Sequence, residues 1–207
     1  MSFQYLIDLA REVSQTKAPW GCTIYRTTYT PLSEACFAKI IELIEVLTTE
    51  DVRVYDDHNG TPEEREAAKM TLFQTHQPIV HDDKAQFDGI SLNDVRSHYQ
   101  EYVQAVPAGE GRPWTNEHFC VVVDDEVVEH LARAEKEKLL ARDKEYGWFV
   151  EDAGDYWVKV VETDPPEEDD AGWMKASIYS LWGLWTDMDG ITGMSTSEAM
   201  DDGPYVG

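Results

Sequence analysis

The chain has 207 residues, 42% of them hydrophobic and 11% aromatic, so it carries more apolar surface than a disordered chain and can bury a core without a disulfide or metal staple. Its 17 basic against 41 acidic side chains give a formal net charge of -24, which repels polyanions and anionic membrane surfaces over a Debye length of about 8 Å. Nucleic acid is excluded as a partner unless the basic residues gather on one face, and they are scattered among glutamates, as in Glu135-Lys136-Glu137-Lys138.

Cys22, Cys36 and Cys120 form no CxxC pair and cannot all pair with one another, which points to a reducing, cytoplasmic compartment. No stretch approaches the roughly 20 apolar residues of a membrane span, and the first residues lack the basic start of a signal peptide, so neither a membrane nor secretion is expected.

In chain order, Phe3, Leu6, Ile7, Ala10 and Val13 predict a short amphipathic helix. Cys22 to Tyr29 alternates and predicts the first strand, which Thr30-Pro31 ends. Phe37, Ile40, Ile41, Ile44 and Leu47 form a helical stripe, and Val52 to Asp56 reads as a second strand. Thr61-Pro62-Glu63-Glu64 is a capping box with proline at the first helical position, and Ser91-Leu92-Asn93-Asp94 starts a further helix in the same way. Phe119 to Val123 predicts a central strand, with a helix from Glu126. Tyr156 to Thr163 predicts another strand, followed by the acidic loop Asp164 to Asp170, an edge strand over Trp173 to Ile178 and a helix over Tyr179 to Trp185.

With residues 57–117 set aside as a helical insertion, the order strand, helix, strand, strand, helix, strand predicts an α+β fold of the ferredoxin-like, split βαβ kind, with helices on one face of an antiparallel sheet. Residues 1–187 form the expected single domain and 188–207 a flexible acidic tail.

Three stretches, Trp20-Gly21-Cys22-Thr23-Ile24-Tyr25-Arg26-Thr27-Thr28-Tyr29, Asn116-Glu117-His118-Phe119-Cys120-Val121-Val122-Val123-Asp124 and Trp157-Val158-Lys159-Val160-Val161-Glu162, carry a family likeness. With Gly172-Trp173-Met174-Lys175-Ala176-Ser177 they resemble a large fungal family of uncharacterised intracellular acidic proteins, in the same order over Trp20 to Trp185. The resemblance implies a fungal, non-secreted protein and carries no activity, cofactor or catalytic residue with it.

Catalytic and metal-binding patterns occur in the chain only as fragments. His118 and Cys120 would share one strand face, but two ligands do not make a zinc site, and parallel side chains do not make a thiolate pair. Tyr55 to Glu66 and Asp187 to Glu198 each miss required positions of a calcium loop. No nucleophile elbow, Walker loop or dinucleotide fingerprint follows a strand, so no cofactor is expected.

The densest feature is aromatic: Trp148, Phe149, Tyr156, Trp157, Trp173, Tyr179, Trp182 and Trp185. Core packing accounts for most of these. The sharper reading is a cleft walled by Trp157 and Trp173 and flanked by Tyr25, Arg26 and Lys159, with Arg26 orienting an anionic or carbonyl group and His118 as the proton shuttle of any enzyme. On that reading Arg26→Ala abolishes ligand binding with little change in melting temperature.

The leading expectation is a non-catalytic binding or interaction domain whose acidic surface meets a protein partner or small molecule, with a homodimer mate as one cover for the open sheet face. The alternative is a cofactor-independent enzyme, an isomerase or cyclase of natural-product type, that uses the aromatic cleft.

Overall fold

The computed structural model describes residues 5–17, 20–54, 60–106, 118–140, 153–164, 172–188 and 204–205. Its elements are α1 (Tyr5–Thr16), β1 (Thr23–Arg26), α2 (Pro31–Val54), α3 (Pro62–Thr75), β2 (Ile79–His81), α4 (Lys84–Phe87), α5 (Leu92–Ala105), β3 (Phe119–Val123), α6 (Asp125–Leu131), α7 (Lys136–Leu140), β4 (Trp157–Glu162), β5 (Trp173–Ser177) and α8 (Leu181–Met188). Much of the acidic loop, the 189–203 part of the expected tail, Trp148, Phe149 and the second calcium-like segment beyond residue 188 lie outside the described residues.

The sheet is mixed, in the order β2-β1-β3-β4-β5. β1 runs parallel to both β2 and β3, while β4 is antiparallel to β3 and to β5. The ferredoxin-like expectation is therefore corrected in its topology, although the α+β class stands. The error has two physical sources. Val52 alternates with charged neighbours as a strand residue does, yet it continues α2, where it is fully buried against the core. The strand next to β1 is instead Ile79–His81, only three residues long and placed inside the stretch set aside as a helical insertion.

Side-chain alternation sends Ile24, Val121, Val123, Val158 and Val160 to a large core shared with α1, α2, α3, α6, α7 and α8. Tyr25, Cys120, Val122 and Val161 go to a smaller core under Phe87 of α4 and Val95 and Tyr99 of α5. Helices thus cover both faces, because the connection from β1 to β2 uses the first face and that from β2 to β3 the second. Both capping boxes form: Thr61 Oγ1 accepts from Glu64 N and Ser91 Oγ from Asp94 N, and each acidic side chain reaches back to its cap amide.

Candidate functional site

In open sheets with parallel strands, ligands gather outside the carboxyl ends where the strand order reverses. Here the order reverses between β1 and β3. That end of the sheet displays Thr28 after β1, Asp82 and Asp83 after β2, and Asp124 and Asp125 after β3. The antiparallel strands bring Trp157 and Lys159 of β4 and Lys175 of β5 to the same end, with Lys159 directly opposite Lys175. Thr28 Oγ1 donates to Asp125, which ties the β1 and β3 loops together.

Arg26 ends β1 and is only 5% exposed. Its Nε donates to the Thr28 carbonyl at 3.0 Å and to Ser33 Oγ at 3.1 Å, and a terminal nitrogen also reaches Ser33 Oγ at 3.0 Å. Glu34 stands 3.0 Å and Asp82 3.4 Å from the guanidinium, which lies between the rings of Tyr29 and Phe37 at 4.4 and 4.6 Å. Charge, donors and faces are all engaged within the chain, which is the environment of a clamp joining β1, the first turn of α2 and the end of β2.

Lys159 donates to Asp124 at 2.5 Å and pairs with Glu126 at 2.7 Å, with its ammonium 5.5 Å from the Trp173 ring centre. Burial opposes its charge, but the bonds to Asp124 and Glu126 outweigh that and raise its pKa. Lys175 pairs with Glu126 at 2.9 Å and sits 4.0 Å over the Trp157 ring. The hydrogen bonds from Lys159 and Lys175 hold the Glu126 carboxyl below its ordinary pKa. His130 stacks on Trp157 at 4.8 Å. Burial pushes the His130 pKa down against the pull of the Asp155 carbonyl, and its Nε2 is buried without a hydrogen-bond partner.

On the smaller face, Tyr25 OH lies 2.8 Å from His98 Nδ1 and its ring stacks on His81 at 4.4 Å. Burial pushes the Tyr25 hydroxyl pKa up, so it stays protonated. His81 is pushed down to about 4 by burial and by His98, and its Nε2 is buried without a partner. Phe87 and Tyr102 complete the cluster.

Of the residues singled out in the sequence, Lys159 lies 5.5 Å from the Trp173 ring centre, but Trp173 pairs with Val161, four residues along β4 from Trp157, so the two indoles stand toward different ends of the sheet. Tyr25 faces the smaller core, and Arg26 is at the Trp157 end of the sheet but committed to its clamp. His118 precedes β3 at the opposite end, roughly 16 Å of strand from the residue paired with Arg26. Its carbonyl accepts from the amide and hydroxyl of Thr163 at 2.9 and 3.0 Å. Sequence reasoning missed His81, His98, His130, Lys175, Asp124 and Glu126. Strand alternation was the available signal for Lys175, whereas the histidines meet their partners across unrelated elements. Among the described residues no group of three or more His, Cys, Asp or Glu is placed to hold a metal ion, and no helix is long and apolar enough to cross a membrane.

Comparisons with protein-family models, with curated proteins and with solved structures found no match to this chain.

Proposed function

We propose that the chain is a non-catalytic, cytoplasmic binding domain whose carboxyl edge receives the basic segment of a protein partner. One observation carries the reading: Arg26, Lys159 and Lys175 are each already held by carboxylates, and the acids around them still face solvent. Glu34, Asp82 and Glu126 have side chains 58%, 39% and 50% exposed while they neutralise those cations. An anionic ligand would have to break internal ion pairs, whereas a cationic one adds to carboxylates already in place. The charge of -24 steers such a partner and makes its association rate fall with salt.

The test is calorimetric titration with an oligolysine peptide at low and physiological salt. The triple variant Glu34→Gln, Asp82→Asn, Asp125→Asn should bind about tenfold more weakly than the parent. Glu63→Gln, Glu101→Gln, Glu137→Gln, which removes equal charge elsewhere, should change binding much less. Equal loss in both triples would reduce the effect to net charge and end the reading.

A cofactor-independent enzyme is the second reading, favoured by the buried, unpartnered Nε2 of His130 beside Trp157. A bound small molecule in native mass spectra that His130→Phe abolishes would support it.

A further inference from the structure

The two outer edges of the sheet end differently. β2 is an edge of three residues, with Val80 exposed at its middle. The outer edge of β5 is held by a residue far along the chain: Ser177 N donates to the Tyr205 carbonyl at 2.7 Å and Tyr205 N donates to the Lys175 carbonyl at 2.8 Å, a parallel bridge centred on Ala176. Glu162 N donates to the Gly172 carbonyl and Ile178 N to the Tyr156 carbonyl, both at 2.9 Å, so the even-numbered residues of β5 face β4. Trp173, Lys175 and Ser177 therefore turn their main-chain groups outward. The Tyr205 ring packs, partly buried, on the larger core, and Pro204 lies 3.9 Å from where a Cβ on Gly154 would stand. Main-chain pairing with a seat for an aromatic side chain is the recognition chemistry of strand addition.

We propose that the outer edge of β5 is a docking edge for an extended segment of a partner protein that carries an aromatic residue after a proline, and that Pro204–Tyr205 is a strap of this chain that occupies the edge until the partner displaces it. Displacement is felt at the acidic end of the sheet, because Lys175, whose carbonyl holds the strap, also caps Trp157 and pairs with Glu126. The inference does not rest on the partner's charge, so its failure leaves the carboxyl-edge reading intact.

The test uses the full chain with Tyr205→Pro, which removes the amide that donates to Lys175, and a labelled peptide with the sequence of residues 199–207 as probe. The parent's own strap competes at an effective concentration on the order of mM, so the variant should bind the peptide at least about tenfold more tightly than the parent, saturably, and with renewed protection of the Ser177 amide from hydrogen exchange. Equal affinity in parent and variant, or no saturable binding by a variant with native circular dichroism, overturns the proposal. Should the variant fail to fold, the parent decides: the Ser177 amide should exchange before that of Val160, and simultaneous exchange would show a strap that never opens alone. A concentration-dependent parent dimer that trades straps would assign the edge to a second copy and also overturn the proposal.

Discussion

The two faces of the sheet are held by different chemistry. On the larger, aliphatic side chains from six helices meet Ile24, Val121, Val123, Val158 and Val160, and Trp20 adds a bond from its indole nitrogen to the Leu72 carbonyl at 2.7 Å. On the smaller, α5 is tied down by polar tips: Tyr99 OH to the Phe119 carbonyl at 2.9 Å, Arg96 to the Glu162 carbonyl at 3.0 Å, Gln100 to the Thr163 carbonyl at 2.8 Å, and Tyr25 to His98. Apolar burial is indifferent to pH and direction, whereas a face with little apolar area depends on individual hydrogen bonds. Single-atom substitutions should therefore act on the smaller face more than on the larger.

At the rim of the larger face the Arg26 clamp is an exception to its aliphatic character. Arg26→Ala removes charge-assisted bonds to Ser33 and the Thr28 carbonyl and empties the space between Tyr29 and Phe37. Glu34 and Asp82 are exposed enough to be resolvated, so the loss is expected at about 2–4 kcal/mol in urea unfolding. A nearly unchanged midpoint would show that Arg26 is a binding group, as its sequence position first suggested.

That misreading shows where legibility stopped. Features decided within one turn were readable: the two capping boxes, the apolar run of β3 and the alternation that brings Trp157 and Lys159 to one end. Features decided by distant partners were not. Ile79–His81 is a strand because β1 lies beside it, and three residues after Pro78 carry no period of their own. Arg26 at a strand end fits a ligand anchor and a clamp equally well until Ser33 and Asp82 fold back on it. His81 and His98 meet only because α5 crosses the face opposite α2, which the antiparallel topology expected from the sequence did not contain.

Acid should destabilise the sheet through its buried histidines. His81 stands at 6.5 ordinarily and about 4 when folded, so the unfolded chain takes up its proton first. The stability it supports is complete above its ordinary value and is lost as pH falls through the folded one. Full burial would give each unit about 1.4 kcal/mol; the half-buried ring is screened, leaving about 1–2 kcal/mol. His76, beside Trp20, is also pushed down to about 4 by burial, so acid reaches both faces and the histidines must be separated. His81→Phe should flatten the stability curve over that interval while the His76 contribution persists. An unchanged slope would place the acid sensitivity on the larger face.

The smallest effect is the most specific. Tyr25→Phe keeps the ring stacked on His81 and deletes only the hydroxyl bonded to His98 Nδ1. With the hydroxyl as donor, Nδ1 is the acceptor and the ring proton stands on Nε2. The substitution should cost about 1 kcal/mol, since His98 is only half-buried and water can replace the lost donor. Nitrogen-15 spectra supply the signature that a packing change would not: in the parent, Nδ1 carries the shift of an unprotonated, hydrogen-bonded nitrogen, and in Tyr25→Phe that signal moves or the tautomers mix. Should the spectra show Nδ1 protonated in the parent, the Tyr25 hydroxyl would be accepting instead. The smaller face would then be held by a donor from the helix to the sheet, reversing the polarity of its central bond.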